Sequence, residues 1–395
     1  MHDKLQSMFF KSFSNFHFSL MKKGKPIDIV YLWVNGNDPD WQRKRHHAVE
    51  KLSPGNLNAI AMYGNVEGRF RDNDELRYSL RALERYFPEH GHVYVVTDAQ
   101  APAWLCPSDR LTVVDHKELI PAESLPTFDS GNIESYIHRI PNLSERYFYL
   151  NDDVFFSAPV NLSDWFWDGG IYVTWSDEPV VTDEPLREDA TSLENACRLS
   201  NQWFSSKANY LNFENELVAK AISQYRHTFR TFAHSPRPML RSFLFDLERQ
   251  APDMFDSVRS TVFRTWDKPT VVSDFVMRWA LATGIAKTRD YPYLYVTTGD
   301  ASMVNQLDHL VSQLGSIDFF CINDTMDDAE THDPRLTKVR EAFQEMFPYK
   351  SRFERNATEE QFNSLAPTTF AIKSSVHPLL PRPKYAGGEV LVQSV

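Results

Sequence analysis

Residues 146–156 read RYFYLNDDVFF, an apolar and aromatic run that three oxygen-bearing side chains interrupt. The first part, RYFYL, has the aromatic composition of a buried strand, and the resumed Val154-Phe155-Phe156 argues against a loop in open solvent. Two adjacent carboxylates, Asp152 and Asp153, repel each other unless a cation or a donor compensates them. Mg²⁺ prefers such hard oxygen ligands. The alternative is an ordinary turn, because Asn-Asp pairs are common in turns.

Strands and helices alternate on both sides of this stretch. Strands are predicted at 27–34 (IDIVYLWV), 93–97 (VYVVT), 111–116 (LTVVDH) and 317–324 (IDFFCIND), and helices at 72–87, 133–140, 271–284 and 334–348. Asp72 and Glu75 predict a capping box at the start of helix 72–87. The alternation indicates an α/β fold with a mostly parallel sheet and flanking helices. Ligands of such sheets bind at the carboxyl ends of the strands, where Asn151, Asp152 and Asp153 fall.

The composition narrows the function classes. The 395 residues carry a net charge of -11 and are 42% hydrophobic, enough for one large domain or two ordinary ones. A nucleic-acid binder is unexpected, because phosphate backbones are bound by clustered Lys and Arg. Three distant cysteines, Cys106, Cys197 and Cys321, show no zinc spacing, and a sparse odd count is typical of a reducing compartment. With no apolar run of about 18 residues, the protein is predicted to be cytoplasmic.

Several isolated side chains suit proton chemistry, each with a blander alternative. Glu134 and His138 lie four residues apart and are predicted to share one helix face; the alternative is a solvated pair. Asp28 lies inside an apolar strand, where a carboxylate is costly unless it is paired; the alternative is that it caps a neighbouring loop. His234 is followed by Pro236 and Pro238, so a rigid backbone would position it as a general acid or base, although lone histidines are more often structural.

Two arginines suit phosphate chemistry. The guanidinium groups of Arg237 and Arg264 have the planar fork that clamps phosphate oxygens. Surface arginines are common, so neither residue is decisive alone.

Four blocks of the chain carry its most distinctive sequence. They are IDIVYLWVNGNDPDW (27–41), RFRDNDELRYSLRALERYFP (69–88) continuing through 125–156, AHSPRPM (233–239) with VFRTWDK (262–268), and FFCIND (319–324). Together these blocks resemble the Stealth family of sugar-phosphate transferases. The resemblance implies a Rossmann-like, GT-A-like fold. It also implies transfer of a sugar-1-phosphate from a UDP-sugar, such as a UDP-N-acetylhexosamine, to a glycan hydroxyl, with release of UMP during capsule or cell-surface polysaccharide synthesis.

The resemblance also assigns roles to individual residues. Catalysis falls to Asp28, Glu134, Asp153, His234 and Arg264; substrate binding to Asn35, Asn73, Asp74, Arg77, Asn151 and Arg237; and Mg²⁺ or Mn²⁺ binding to Asp152, Asp153, Asn323 and Asp324. His234 is the candidate base, with Asp28 and Glu134 as competitors. Direct in-line attack is favoured over a phospho-enzyme intermediate.

The same reasoning divides the chain into an extension (1–26), a Stealth-like catalytic domain (27–348) with a helical insertion at about 165–230, and a tail (349–395). The aromatic residues of the extension, from Phe9 to Phe18, are expected to pack on the domain, with weak contact to the inner face of the cell membrane as the alternative. Two rival functions stay open: a metal-dependent glycosyltransferase that releases UDP, and a glycan-binding protein without activity.

Overall fold

A computed structural model of the protein describes residues 26–106, 108–207, 220, 225, 228–330 and 332–355. The strands are β1 (Asp28–Leu32), β2 (Val93–Thr97), β3 (Leu111–Asp115), β4 (Arg146–Asn151), β5 (Val154–Phe156), β6 (Phe166–Trp167), β7 (Gly170–Val173), β8 (Arg237–Leu240), β9 (Ala286–Thr288), β10 (Tyr293–Thr297) and β11 (Phe319–Asn323). The α-helices are α1 (Pro39–Glu50), α2 (Pro54–Asn58), α3 (Glu75–Tyr86), α4 (His116–Leu119), α5 (Ser130–Glu134), α6 (Ser192–Lys207), α7 (Arg241–Gln250), α8 (Pro252–Arg259), α9 (Val276–Ala282), α10 (Met303–Gln313) and α11 (Pro334–Met346).

The central sheet has the strand order β3-β2-β1-β4-β8. β1 is parallel to β2 and β4, and β2 is parallel to β3, whereas β8 runs antiparallel to β4. Every residue of β1 and β2 is buried, as expected for strands that are covered on both faces. The predicted α/β class with a mostly parallel sheet is confirmed.

Two smaller sheets extend the central one. One has the order β10-β11-β5 and the other β6-β7-β9. β5 directly follows the turn after β4 and pairs with β11 in the second sheet, where the rings of Phe155 and Phe320 stack 4.6 Å apart. The Asn151–Asp153 turn therefore joins two sheets and is held from both sides.

The helical insertion expected at about 165–230 is only partly helical. It begins with the antiparallel pair β6 and β7, and α6 follows. Phe166, Ile171 and Val173 bury their side chains in the main core, so tertiary packing fixes this segment as strand rather than helix.

Two local predictions were wrong in detail. The expected capping box is absent: α3 begins after Asp74, which has a left-handed backbone (φ 69°), while the Glu75 carboxylate accepts hydrogen bonds from the backbone N–H and side-chain amide of Asn73. The short helix predicted at 133–140 begins earlier and is not continuous: α5 covers Ser130–Glu134, and a separate 3₁₀ turn, Ile137–Arg139, follows.

Residues 351–355, from the predicted tail, pack on the domain. Glu354 is buried and accepts hydrogen bonds from Nε of Arg77 and from Nε of Arg81, each 2.7 Å long. The aromatic residues at 9–18 and the rest of the tail lie outside the described residues. Among the described residues, none of the helices has the length and apolar character needed to cross a bilayer.

Candidate active site

A cleft of about 420 Å³ opens at the carboxyl ends of the parallel strands. Trp33, Asp98, His116 and Asp152 line it, and each follows one of the strands β1 to β4. Parallel strands bring their carboxyl ends to one edge of a sheet. The chain order β1 to β4 therefore assembles one wall of the cleft from four distant segments.

Asp153 lies at the centre of a three-residue cluster. Its Oδ1 is 3.3 Å from Nε2 of His234, and its Oδ2 accepts a hydrogen bond of 3.3 Å from the Cys321 thiol. Burial alone would raise the pKa of Asp153, but the charge of His234 and the hydrogen bonds from His234 and Cys321 hold it below its usual value. Asp153 is therefore an ionised carboxylate poised against an imidazole.

Asp152 belongs to a second group of carboxylates. Burial raises its pKa well above the usual value, and the charges of Asp153 and Asp72 add to that effect. The pKa of Glu75 is likewise raised by burial, Asp72 and Asp152, and that of Asp72 rises to about 6. In the part of the chain that the structure describes, no lysine or arginine forms an ion pair with Asp152. Burial and mutual repulsion therefore disfavour the ionised forms of these carboxyl groups, and a bound cation would favour ionisation of Asp152.

A buried hydrogen-bonded group supports the floor of the cleft. The Tyr149 hydroxyl lies 2.9 Å from Oε1 of Glu134 and 2.7 Å from Oδ1 of Asn151, and Oε2 of Glu134 accepts from Ser273 at 3.2 Å. Burial and the charge of Glu134 raise the pKa of Tyr149 well above its usual value. Glu134 and Asn151 line the cleft, whereas His138 lies in the 3₁₀ turn Ile137–Arg139 and pairs with Glu248 at 2.7 Å instead of Glu134.

Two arginines form a positive region in the cleft. Nη2 of Arg69 donates to Oγ of Ser130 at 3.0 Å, Arg264 donates to the same oxygen, and Nε of Arg264 lies 3.3 Å from Asp129. Burial and the neighbouring charge of Arg264 lower the pKa of Arg69 to about 9. Among the described residues, Asp129 is the one carboxylate that forms an ion pair with either guanidinium group, which leaves net positive charge for an anion.

Sequence reasoning missed Arg69, Ser130 and Tyr295. Tyr295 lines the cleft, its ring lies edge-on to His234 at 6.4 Å, and its hydroxyl bonds to the amide of Asn323. The one sequence signal for Arg69 was its place at the start of RFRDN, a segment that was already singled out. Ser130 and Tyr295 have no comparable signal in the sequence, because only tertiary packing brings them to the cleft.

Much of the chain is similar in sequence to known proteins. Three family models match: Stealth protein conserved region 1 at residues 25–53, conserved region 2 at 69–173 and conserved region 4 at 314–364. An exopolysaccharide phosphotransferase of Streptomyces coelicolor is 35% identical over 340 residues, which are 84% of this chain and 52% of that protein. A capsular polysaccharide phosphotransferase, LcbA of Neisseria meningitidis, is 32% identical over 234 residues, 58% of this chain and 61% of that protein.

The chain belongs to the Stealth family. The match covers 52% and 61% of the two relatives just described. It covers 33% of a further exopolysaccharide phosphotransferase of Streptomyces coelicolor, so the chain spans only part of the length of these relatives. Among solved structures, the galactosyltransferase LgtC, in complex with donor and acceptor sugar analogues, matches with a TM-score of 0.38 and 10% identity over 86% of this chain and 100% of that chain.

One residue that the Stealth resemblance assigned to catalysis lies outside the cleft. Asp28 is the first residue of β1 and pairs with Tyr147 near the start of β4, so it lies at the amino edge of the sheet. Its two oxygens accept hydrogen bonds of 2.8 Å from the backbone N–H groups of His92 and Ser144. The catalytic assignment of Asp28 was wrong, and the alternative, a carboxylate that caps neighbouring loops, is correct.

Two arginines of this Stealth chain are also directed away from the cleft. Arg77 donates to Glu354, and Arg237 is buried beside the ring of Tyr149, 5.9 Å from its centroid. Nε and Nη1 of Arg237 have no hydrogen-bond partner. Neither residue lines the cleft, so the structure does not bring these two predicted substrate-binding residues together with the others.

Four polar residues from the Stealth blocks stabilise the surrounding segments instead. Asp324 lines the cleft, but its oxygens accept from Arg71 at 2.5 Å and from Thr298 at 3.0 Å, which leaves it poorly suited to a metal. The remaining three, Asn35, Asn73 and Asp74, do not line the cleft. Asn35 accepts from the N–H of Asn37 in the turn after β1, whereas Asn73 and Asp74 shape the start of α3.

Proposed function

We propose that the protein transfers a sugar-1-phosphate from a UDP-sugar, in particular a UDP-N-acetylhexosamine, to a hydroxyl of a growing glycan. The acceptor oxygen forms a bond to the phosphorus next to the sugar, the bond from that phosphorus to the bridging oxygen breaks, and UMP leaves with that oxygen. The product is a phosphodiester within a capsule or another cell-surface polysaccharide. The proposed setting is the cytoplasm, at the inner face of the cell membrane.

One observation carries the proposal: Asp153 and His234 are in contact in the same cleft that Arg69 and Arg264 line. Phosphoryl transfer needs positioning and charge compensation more than covalent help. A base beside a carboxylate and a pair of guanidinium groups supply those needs. The relatives are named exopolysaccharide phosphotransferase and capsular polysaccharide phosphotransferase, and these names agree with this chemistry.

His234 is the residue that we assign to deprotonate the acceptor hydroxyl. An ionised Asp153 that accepts the Nε2–H fixes the imidazole tautomer in which Nδ1 is the basic nitrogen. The acceptor proton then passes to Nδ1, and Asp153 stabilises the imidazolium that forms. Glu134 competes less well for this role, because the Tyr149 and Ser273 hydroxyls already occupy its oxygens.

Arg69 and Arg264 bind the phosphate oxygens in this proposal. Their guanidinium groups are oriented by Ser130, and Asp129 fixes Arg264 from behind. Donors that are already in position stabilise the charge on the transferred group without reorganisation during the reaction.

The acidic wall fits a divalent cation, Mg²⁺ or Mn²⁺. Asp152 and Asp153 supply carboxylate oxygens, and Asn151 and Asn323 supply amide oxygens. When bound, such a cation neutralises the diphosphate. Asp324 is not in this set, because Arg71 and Thr298 hold its oxygens.

The released nucleotide tests the proposal. The full chain is incubated with a UDP-N-acetylhexosamine, Mg²⁺ and a glycan primer, and the products are identified by chromatography and ³¹P NMR. UMP together with a phosphodiester signal supports phosphotransfer. UDP supports the glycosyltransferase alternative, and glycan binding that EDTA leaves unchanged, with no nucleotide released, supports the binding-protein alternative.

A further inference from the structure

A cysteine completes an unusual ligand set in the cleft. Asp153, His234 and Cys321 each present one ligand atom, and these carboxylate, imidazole and thiol atoms all lie within 4.8 Å of one another. Asp153 and His234 line the cleft, while Cys321 lies behind them and is fully buried. A cation that enters from the cleft would meet the oxygen and nitrogen first and the sulfur last.

The backbone holds the three residues in place before any ligand arrives. Cys321 lies opposite Val154 in the antiparallel pair of β11 and β5, and the N–H of Ile322 donates to the carbonyl of Asp153 at 3.1 Å. His234 lies in the loop before β8, three residues ahead of Arg237, and the neighbouring N–H of Ala233 donates to the carbonyl of Thr174 at 3.0 Å. Three separate elements therefore fix the cluster.

The ligand atoms match a soft divalent cation better than Mg²⁺. Sulfur and nitrogen ligands favour Zn²⁺ and related ions, whereas Mg²⁺ takes oxygen ligands. Bonds of about 2.0 Å to nitrogen or oxygen and about 2.3 Å to sulfur place tetrahedral ligands roughly 3.3–3.8 Å apart. The two contacts of Asp153 measure 3.3 Å each but use different oxygens: Oδ1 faces Nε2 of His234, and Oδ2 faces the Cys321 sulfur. Since one ligand atom from each residue lies within 4.8 Å of the other two, inward shifts of up to about 1.5 Å would bring the three atoms to three corners of a tetrahedron.

We propose that Asp153, His234 and Cys321 form a binding site for a thiophilic divalent cation of the zinc class, which inhibits the enzyme. Binding replaces the thiol proton, which is released to solvent, and engages Nε2 of His234. The single proton of the neutral ring then resides on Nδ1, so that nitrogen can no longer accept a proton from the acceptor. The inhibition rests on the proposed function; the binding does not.

Cobalt is the direct probe, because Co²⁺ replaces Zn²⁺ in such sites and gives an intense near-ultraviolet band when thiolate binds it. Co²⁺ is titrated into the full chain without Mg²⁺. We expect a band that saturates at one equivalent, that disappears on addition of Zn²⁺ and that is absent from Cys321→Ser. Cys197→Ser, which changes another buried cysteine that does not line the cleft, is the matched control and should keep the band.

His234→Ala is the second test variant, because a substitution at the fully buried Cys321 could disturb folding. His234 is partly exposed, so its removal should leave the fold intact. It should weaken Co²⁺ binding by at least about tenfold, because even changes around metal ligands weaken sites by about 10–100-fold. No band in the wild-type chain, or a band of undiminished strength in Cys321→Ser, would refute the site.

The inhibition is measured separately. Equimolar Zn²⁺ should stop UMP release in the presence of excess Mg²⁺, and a chelator followed by fresh Mg²⁺ should restore it. Cys321→Ser, whatever its own rate, should keep that rate when Zn²⁺ is added. Zn²⁺-insensitive activity despite a normal cobalt band would refute the inhibition alone. A normal band with no transfer under any condition would count against the proposed function while supporting the site.

Discussion

The Asp153 carboxylate lies 3.3 Å from Nε2 of His234, although 81 positions of the chain separate the two residues. The contact exists because β8 pairs antiparallel with β4, which brings the loop before β8 over the turn after β4. A pairing of two strands thus brings the carboxylate and the imidazole together in the cleft.

The first prediction concerns this contact. His234→Ala and Asp153→Asn should each lower the transfer rate by about 10²–10⁴-fold, the usual contribution of a positioned general base, with circular dichroism and melting unchanged. The rate of UMP release checks this. His46→Ala, at an exposed position on α1, is the control and should retain full activity. Full activity in His234→Ala would remove the base assigned here.

A second prediction separates the two arginines. Arg264→Ala should lower kcat/KM by about 10²–10³-fold, as loss of a donor to a developing charge does. Arg69→Ala should mainly raise KM for the UDP-sugar, by about 10-fold or more, because a hydrogen bond to a charged group contributes about 1.5–3 kcal/mol. Steady-state kinetics check both. Arg43→Ala on exposed α1 serves as the charge-matched control, and an unchanged KM in Arg69→Ala would count against a phosphate contact.

The third prediction tests the correction at Asp28. Asp28→Ala leaves the partly buried N–H groups of His92 and Ser144 without these acceptors, and each lost hydrogen bond costs about 0.5–1.5 kcal/mol. Urea denaturation should show the lower stability, while kcat per folded molecule stays at the wild-type value. A lower kcat without a loss of stability would support a catalytic role for Asp28 instead of a role in capping loops.

The fourth prediction concerns the ion pairs that Glu354 forms with Arg77 and Arg81. Glu354→Gln leaves Arg81, which is nearly as buried as Glu354, without its ion-pair partner. Breaking a buried pair on one side typically destabilises by about 3–5 kcal/mol. Thermal melting measures the effect. Lys338→Gln, which breaks an exposed pair with Glu341, should change stability by less than about 1 kcal/mol.

The fifth prediction is a pH dependence of stability. His90 is buried, its Nδ1 donates to the Gly91 carbonyl, its Nε2 has no partner, and burial lowers its pKa from 6.5 to about 4. Between those values the unfolded chain binds a proton that the folded chain does not, so stability falls as the pH drops from 6.5 towards 4, by up to about 3 kcal/mol.

His90→Phe, which keeps the packing against Phe87 and Phe353, should flatten the curve of unfolding free energy against pH over this range. His116, whose pKa burial also lowers to about 4, will preserve part of the slope. An unchanged slope in His90→Phe would contradict this account, and His46→Ala provides the exposed control.

Much of the fold could be predicted from sequence, because the strands carry dense apolar runs and the helices carry regular spacing. The placement of Asp152 and Asp153 followed from the rule that ligands bind at the carboxyl ends of parallel strands. The contact between Asp153 and His234 did not follow, since it depends on which strand pairs with β4. It was reached only through the family resemblance.

The errors have physical causes. Asp28 opens its strand, so its position in the sequence already indicated the amino edge, but the cost of a buried carboxylate was interpreted as chemistry. Arg77 lies on a regular helix, yet its partner is Glu354 in a segment that local patterns cannot place. Arg69 was missed because it lies in a 3₁₀ turn, Gly68–Phe70, that has no periodicity to mark it.

The sheet places Asp28 at one edge and the Asn151–Asp153 turn at the other, with the buried length of β1 and β4 between them. In the proposed function, the residues that stabilise the fold at Asp28 and those that carry out the reaction therefore lie at opposite edges of the same sheet. Laboratory evolution should be able to remodel donor preference by exchanging loops at the reactive edge, while screens for heat tolerance select changes at the opposite edge. The two kinds of improvement should combine in one variant with little interference.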